Sequence, residues 1–434
     1  MKYYSLNQSK SAANTSFEQA VIQGIAPDKG LYFPNEIKPL DPNFIQNIER
    51  YSNQEIAFEV IHQFVNGEIP DEELKKIIDD TLCFDFPTIA IEDGVYALEL
   101  FHGPTMAFKD VGARFMARCL GYFNKNKQEQ QVTVLVATSG DTGGAVASGF
   151  LGVKGVDVVI LYPSGKVSDI QEKQLTTLGK NIVALEVDGV FDDCQDMVKT
   201  AFLDSELEGQ NLTSANSINI ARWLPQMFYF FFAYKQLKNK HKDLVFSVPS
   251  GNFGNICAGI MAHKLGLPVK HFIASTNIND TVPVFMETQK YQPKASKQTI
   301  SNAMDVGNPS NFVRIQNLFD NDFKALSAMF SSQSYTDTQT IEALKEIYKN
   351  SGYIADPHGG VGYLGFKKYR ETNPEATGVF LETAHPVKFL DTVEDALDIK
   401  LPIPEQIKSV IDKEKTSIAI ASYEDLKTYL NSRA

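Results

Sequence analysis

The chain has 434 residues, of which 43% are hydrophobic and 22% charged, a globular composition too long for one ordinary core and suited to roughly two to three domains. Its net charge of −12 works against a nucleic-acid partner, whose phosphates need a basic face. No apolar run is long enough to span a membrane and MKYYSLNQSK lacks an apolar signal core, so a soluble cytoplasmic protein with no membrane partner is expected.

Cys83, Cys119, Cys194 and Cys257 have no close pair, so neither a disulfide framework nor a metal site is expected; they read as buried small apolar residues.

Residues 1 to about 86 mix helical and extended patterns. Ser16 is placed to cap FEQAVIQGI with Gln19 completing a capping box, and Gly30 to Pro34 reads as a turn into a short strand. ERYSNQEIAFEVIHQFV and, after Pro70, DEELKKIIDDTL carry helical periodicity. A largely helical N-terminal domain follows, without visible chemistry and with His62 packed in a helix.

LFHGPTMAFKDVGARFMARCLGYF, Leu100 to Phe123, changes character halfway. Gly103 and Pro104 make its first half irregular. Beyond them Val111, Phe115, Cys119, Leu120 and Phe123 recur at helical spacing, with Asp110 as the expected N-cap and Arg114 one turn on. Lys109 then stands at a helix mouth, where the positive end of the dipole disfavours an ammonium and lowers the amine's pKa. A neutral amine is a nucleophile suited to a Schiff base with a carbonyl substrate or with pyridoxal phosphate (PLP); the alternative is a solvated loop lysine.

Strand, loop and helix then alternate. Val132, Val134 and Val136 begin a buried strand that ends in ATSGDTGG before the helical AVASGFL, and Val156 to Tyr162 is a second strand. Ser168 and Gln171 form a capping box for QEKQLTTL, Ile182 to Val187 is a strand and FDDCQDMVKTAFL a helix. This alternation marks parallel α/β layers. A second α/β block opens with one long helix, NSINIARWLPQMFYFFFAYKQL, deeply buried in its second half and kinked at Pro225. LVFSVP is a strand, PSGNFGN a loop and ICAGIMAHKL a helix closed by Gly266; Phe272 to Ser275 and GVFLET add strands. From Glu405 the pattern reads as ordinary helical packing.

Three of these loops have the residues for binding chemistry. PSGNFGN lies between a buried strand and a helix start, where backbone N–H groups and the dipole bind a phosphate. ATSGDTGG presents hydroxyls and N–H groups at an equivalent strand end. In NSINIAR, Arg222 suits a bidentate phosphate contact, or else stacks on Trp223 as a structural pair. Lys166 and Lys173 offer added positive charge or are simply solvated.

FHGPTMAFKD resembles the cofactor-lysine segment of the threonine synthases, PLP enzymes of fold type II built like the tryptophan synthase β-subunit. SFEQAVIQGIAPDKGLYFP, ATSGDTGGA, NSINIARW, PSGNFGN, SNAMDVGNPSNF, ADPHGG and LETAHPVKF extend the resemblance along nearly the whole chain. It implies an α/β protein with two three-layer domains of mostly parallel sheets: a large PLP-binding domain at 91–115 and 216–434 and a small mobile one at 116–215. A largely helical N-terminal domain, 1–90, completes it.

The resemblance also implies roles. Lys109 carries PLP and is the catalyst, and Gly251, Asn252, Phe253, Gly254 and Asn255 hold the cofactor phosphate. Thr383 meets the pyridine nitrogen with a neutral hydroxyl, which does not hold that nitrogen protonated as aspartate does and so suits elimination. Thr138, Ser139, Gly140 and Thr142 grip the substrate α-carboxylate. Asp141 lies beside the cofactor 3′-oxygen, where many relatives have Asn, so one member of a carboxylate–phenolate pair must carry a proton. Asn216, Ser217 and Arg222 bind a substrate phosphate, while His102, His358 and His385 lie in matching motifs as hydrogen-bonding groups or catalysts. The implied reaction turns O-phospho-L-homoserine and water into L-threonine and phosphate by γ-elimination and β-addition, in a monomer or homodimer. Its rivals are a threonine/serine dehydratase-like PLP lyase, which has no use for Arg222, and a non-catalytic phospho-amino-acid-binding homologue, which has no use for Lys109.

Overall fold

The computed structural model describes residues 1–65, 67–125, 131–239 and 244–433. Two sheets organise it. A six-stranded sheet runs Phe330–Ser334, His271–Thr276, Leu244–Pro249, Thr377–Glu382, Val95–Glu99, Thr88–Glu92, all parallel except the last pair. A five-stranded, all-parallel sheet runs Ile418–Ile420, Ile182–Val187, Val156–Pro163, Val132–Ala137, Leu212–Ser214. LVFSVP is buried at every position and VDVVILYP at all but one, the unbroken apolar run expected of strands covered by helices on both faces.

The N-terminal region adds an antiparallel ribbon of Tyr3–Ser5 with Tyr32–Pro34 and the helices Phe17–Gln23, Asn53–Val65 and Asp71–Thr81. The capping boxes at Ser16/Gln19 and Ser168/Gln171 both form.

Four expectations need correction. Asp110 is not the cap of its helix, which runs Lys109–Asn124; its buried carboxylate folds back instead to accept from Thr105 N at 2.9 Å and Thr105 Oγ1 at 2.6 Å. This outbids capping because it satisfies the irregular backbone of the preceding loop. The long aromatic helix is broken: Ile220–Trp223, capped by Asn219, gives way at Pro225 to a 3-10 turn, Leu224–Gln226, before Met227–Leu237. Proline lacks the N–H an unbroken helix needs. The tail after Glu405 is not only helical, because Ile418–Ile420 pairs with Ile182–Val187 at the edge of the five-stranded sheet and Tyr423–Asn431 follows it. An IAI triplet is too short for its alternation to be seen. Cys83 is exposed, in the segment after Asp71–Thr81, whereas the other three cysteines are buried.

Candidate active site

Parallel strands place their carboxyl-terminal loops together, and this is how distant segments of the chain meet. Pro249 to Asn255, Thr383 and the lysine loop follow three neighbouring strands of the larger sheet. Ser139 to Thr142 and Asn216–Ser217 follow two neighbouring strands of the smaller one. Between them lies a cavity of about 810 Å³.

Lys109 opens its helix after a loop stitched to the Thr383 segment: Phe108 N donates to Thr383 O at 2.8 Å and His385 N to Met106 O at 3.0 Å. Thr383 and Lys109 thus reach the cavity from adjoining backbone. Protein surrounds the amine while part of its surface stays open to the cavity. Burial is the main reason its pKa falls to about 8; Asp141 opposes the shift, and Lys388 and Arg222 add to it. The low pKa expected from the helix start has a larger cause in desolvation.

The Gly251–Asn255 turn lines the same cavity. Phe253 adopts a left-handed conformation, φ 61°, immediately before the helix Gly254–Lys264, whose first N–H groups lack intrahelical acceptors. An anion is well matched to this end of an eleven-residue helix. A lysine amine, an anion-binding helix start and a neutral hydroxyl in one cavity match the aldehyde, phosphate and pyridine nitrogen of PLP.

The loop after Val132–Ala137 divides by role. Ser139 and Thr142 line the cavity, whereas Thr138, Gly140 and Asp141 do not. Thr138 Oγ1 lies beneath, accepting from Gly140 N at 2.9 Å and Gly143 N at 2.7 Å. Gly140 has φ 133°, and a Cβ there would come within 2.4 Å of Gln171, so only glycine fits. Asp141 accepts from Gln171 Nε2 at 3.0 Å and pairs with Lys388 Nζ at 2.6 Å. Burial works against its charge, but Lys388 and then Lys109 outweigh it and hold the carboxyl well below the usual range.

Arg222 and Ser217 line the cavity with Asn216. Gly112, on the Lys109 helix, allows this approach, since a Cβ there would lie 2.5 Å from the Arg222 carbonyl oxygen. The guanidinium is only 3% exposed, donates through Nη1 to Ala215 O, leaves Nε unpartnered and forms no ion pair among the described residues. Burial lowers its pKa to about 10. Trp223 stacks with Phe33, ring centroids 5.6 Å apart, and carries Arg314 over its ring at 4.4 Å, not Arg222.

Of the three histidines, only His358 lines the cavity. Its Nε2 accepts from Ala303 N at 3.3 Å, which leaves Nδ1 to donate to Asp356 at 2.5 Å. His102 pairs with Glu99, and burial pushes His385 down to about 4. Lys166 and Lys173 stay outside the cavity, Lys173 bonding to the Lys413 carbonyl. Sequence reasoning missed Lys388, Asn311 and Arg314, although the first two lie in the quoted LETAHPVKF and SNAMDVGNPSNF segments. It also missed that the N-terminal region, through Asn7 and Lys29, and the helix Phe191–Ala201 form part of the cavity wall.

Family comparison decides the assignment. Residues 74–383 match the pyridoxal-phosphate dependent enzyme family, 2–82 the threonine synthase N terminus and 360–430 the threonine synthase C-terminal region. Threonine synthase from Buchnera aphidicola subsp. Acyrthosiphon pisum is 44% identical over 99% of each chain, and that of Escherichia coli K12 is 44% identical over 95% of each.

The chain belongs to the threonine synthase family.

The crystal structure of the Escherichia coli threonine synthase superposes with a TM-score of 0.94 at 41% identity, covering 100% of both chains. PLP-bound threonine synthase from Brucella melitensis gives 0.91 at 32% identity, covering 100% of this chain and 99% of that one. The chain is therefore a PLP-dependent enzyme of mixed α/β fold acting on a small-molecule substrate. Maize serine racemase, at 15% identity and TM-score 0.54, shares the fold over 76% of this chain and 92% of its own. The fold alone thus leaves the reaction open.

Proposed function

We propose that this enzyme converts O-phospho-L-homoserine and water into L-threonine and inorganic phosphate in the cytoplasm, as a monomer or homodimer, with PLP held by Lys109. Arg222 carries the reading. Its buried guanidinium forms no ion pair and leaves Nε unpartnered among the described residues, and it belongs to a different element, Ile220–Trp223, from the helix start at Gly254. Two anion sites in one cavity suit a phosphorylated amino acid beside a phosphorylated cofactor, whereas a dehydratase of serine or threonine needs only one.

Bound PLP supplies an electron sink that loosens the bonds at the amino acid's Cα. The protein does the rest. Gly251 to Asn255 would hold the cofactor phosphate with backbone N–H groups, and Thr383 would offer a neutral hydroxyl to the pyridine nitrogen. Ser139, Thr142 and the N–H groups of their loop receive the α-carboxylate, with Thr138 and Gly140 holding that loop in shape. Asp141 would act on the cofactor's 3′-oxygen end from behind the cavity wall, through its charge, which Lys388 balances. Arg222, Asn216 and Ser217 hold the leaving phosphate with charge-assisted hydrogen bonds. Lys109, partly neutral near pH 8, takes a proton from Cα and one from Cβ, and returns protons to Cγ once phosphate has left and to Cα once water has added. Phosphate departs from Cγ and water adds at Cβ. The test is release of threonine and inorganic phosphate in equal amounts from O-phospho-L-homoserine by the purified enzyme. Phosphate release without threonine overturns the reaction assigned.

A further inference from the structure

Ser217 stands where the two anion-binding elements meet. A Cβ on Gly254 would lie 3.2 Å from the Ser217 Cβ. The Ser217 Oγ is 3.0 Å from Asn252 Nδ2 and 3.0 Å from Asn311 Nδ2. Amide oxygen and nitrogen are interchangeable in shape, so chemistry must orient each asparagine. Here it does. Asn252 Oδ1 receives the Ser310 N–H at 2.6 Å, and Asn311 Oδ1 receives Arg314 Nη1 at 2.7 Å. A backbone N–H and a guanidinium only donate, so both oxygens are assigned and both Nδ2 groups must face Ser217.

A hydroxyl has two acceptor lone pairs and one donor hydrogen. Asn252 and Asn311 occupy both lone pairs. Among the described residues no acceptor takes the hydrogen, and Ser217 lines the cavity. Arg314 makes the arrangement rigid: fully buried, it also donates from Nη1 to Ser217 O at 3.1 Å and from Nη2 to Tyr32 O at 3.0 Å and Ile218 O at 2.6 Å. It therefore clamps the serine backbone and the asparagine that orients the serine side chain.

We propose that Arg314 and Asn311 are positioning residues that make Ser217 an obligate hydrogen-bond donor to a phosphate oxygen in the cavity. The inference rests on the reading that this wall of the cavity receives a phosphate. A phosphate dianion offers only acceptors and satisfies the position fully. The substrate and the cofactor both carry such a group, and the two arms of the experiment separate them.

Asn311→Asp tests it because the shape is kept and Arg314 gains an ion-pair partner, while the Nδ2 that donates to Ser217 and, at 3.1 Å, to the Asn252 carbonyl becomes an acceptor. The serine hydrogen is then captured by the new carboxylate and a lone pair turns toward the ligand. Wild type, Ser217→Ala, Asn311→Asp and the double variant are compared in two arms: KM for O-phospho-L-homoserine with Ki for inorganic phosphate on the holoenzyme, and affinity of the apoenzyme for PLP against pyridoxal, which lacks the phosphate. One charge-assisted hydrogen bond corresponds to roughly a 10- to 200-fold loss. Each single variant is expected to lose that much in one arm, with the double variant no weaker than the worse single. The arm that responds identifies the phosphate. Costs that multiply in the double variant mark a bare charge effect and overturn the proposal. Equal loss of PLP and pyridoxal marks a merely structural role and also overturns it. Ser217→Ala at wild-type affinity in both arms overturns it whatever Asn311→Asp does. If the cycle holds while Arg222→Ala leaves substrate use intact, the serine polarity stands and the arginine anchor falls.

Discussion

Lys388 Nζ stands 2.6 Å from Asp141 Oδ1, both side chains buried, and this pair joins the Asp141–Phe150 helix on the smaller sheet to the segment after Thr377–Glu382 in the larger one. Lys388 also donates to Thr105 O at 3.0 Å. The pair gives the buried Asp141 carboxylate a countercharge within the protein. Asp141 needs no proton of its own when a lysine balances its charge.

Removing one partner leaves an uncompensated buried charge, so Lys388→Met is expected to cost about 3–5 kcal/mol of stability. Lys388→Met with Asp141→Asn is expected to recover most of it. Urea unfolding of the two variants and the wild type checks this; equal destabilisation by both variants would show that the pair is not coupled.

Lys109 gives a pH signature. Its folded pKa is about 8 against an ordinary 10.5, so between these values the unfolded chain binds more protons than the folded one. Stability of the PLP-free protein therefore rises with pH across that window and is flat in this contribution below it. Thermal melting of the wild type compared with Lys109→Met measures the difference, which vanishes in the variant. Borohydride reduction of the holoenzyme followed by peptide mapping is expected to label Lys109 alone, and a label on any other lysine contradicts its role.

Thr383→Asp places a carboxylate where the neutral hydroxyl stands. The expected outcome is a changed cofactor absorbance together with lost threonine formation. An unchanged spectrum and rate would remove Thr383 from contact with the pyridine ring.

Much of this site was legible because its loops follow parallel strands, and glycine-rich strand-to-helix turns advertise themselves in sequence. PSGNFGN and ATSGDTGG did so. What stayed hidden depended on partners far along the chain. Lys388 is an ordinary lysine until folding sets it against Asp141, 247 positions earlier by residue number. Asp110 read as a cap because helix signals are local, whereas its real partner is the Thr105 loop. Trp223 looked like the partner of its neighbour Arg222, but an aromatic ring stacks on whatever packing brings over its faces, and those groups are Phe33 and Arg314. The tail strand Ile418–Ile420 is too short to carry a period, and only its pairing with Ile182–Val187 reveals it.

The central claim is that this cavity holds a second phosphate, that of the substrate, on Arg222. The most direct measurement is kcat/KM of wild type and Arg222→Ala on O-phospho-L-homoserine and, separately, their turnover of L-serine, which carries no phosphate. Loss of a charge-assisted hydrogen bond predicts a drop of roughly 10- to 200-fold on the phosphorylated substrate, with the serine reaction and PLP binding retained. An equal drop on both substrates would contradict the account and make Arg222 a structural residue.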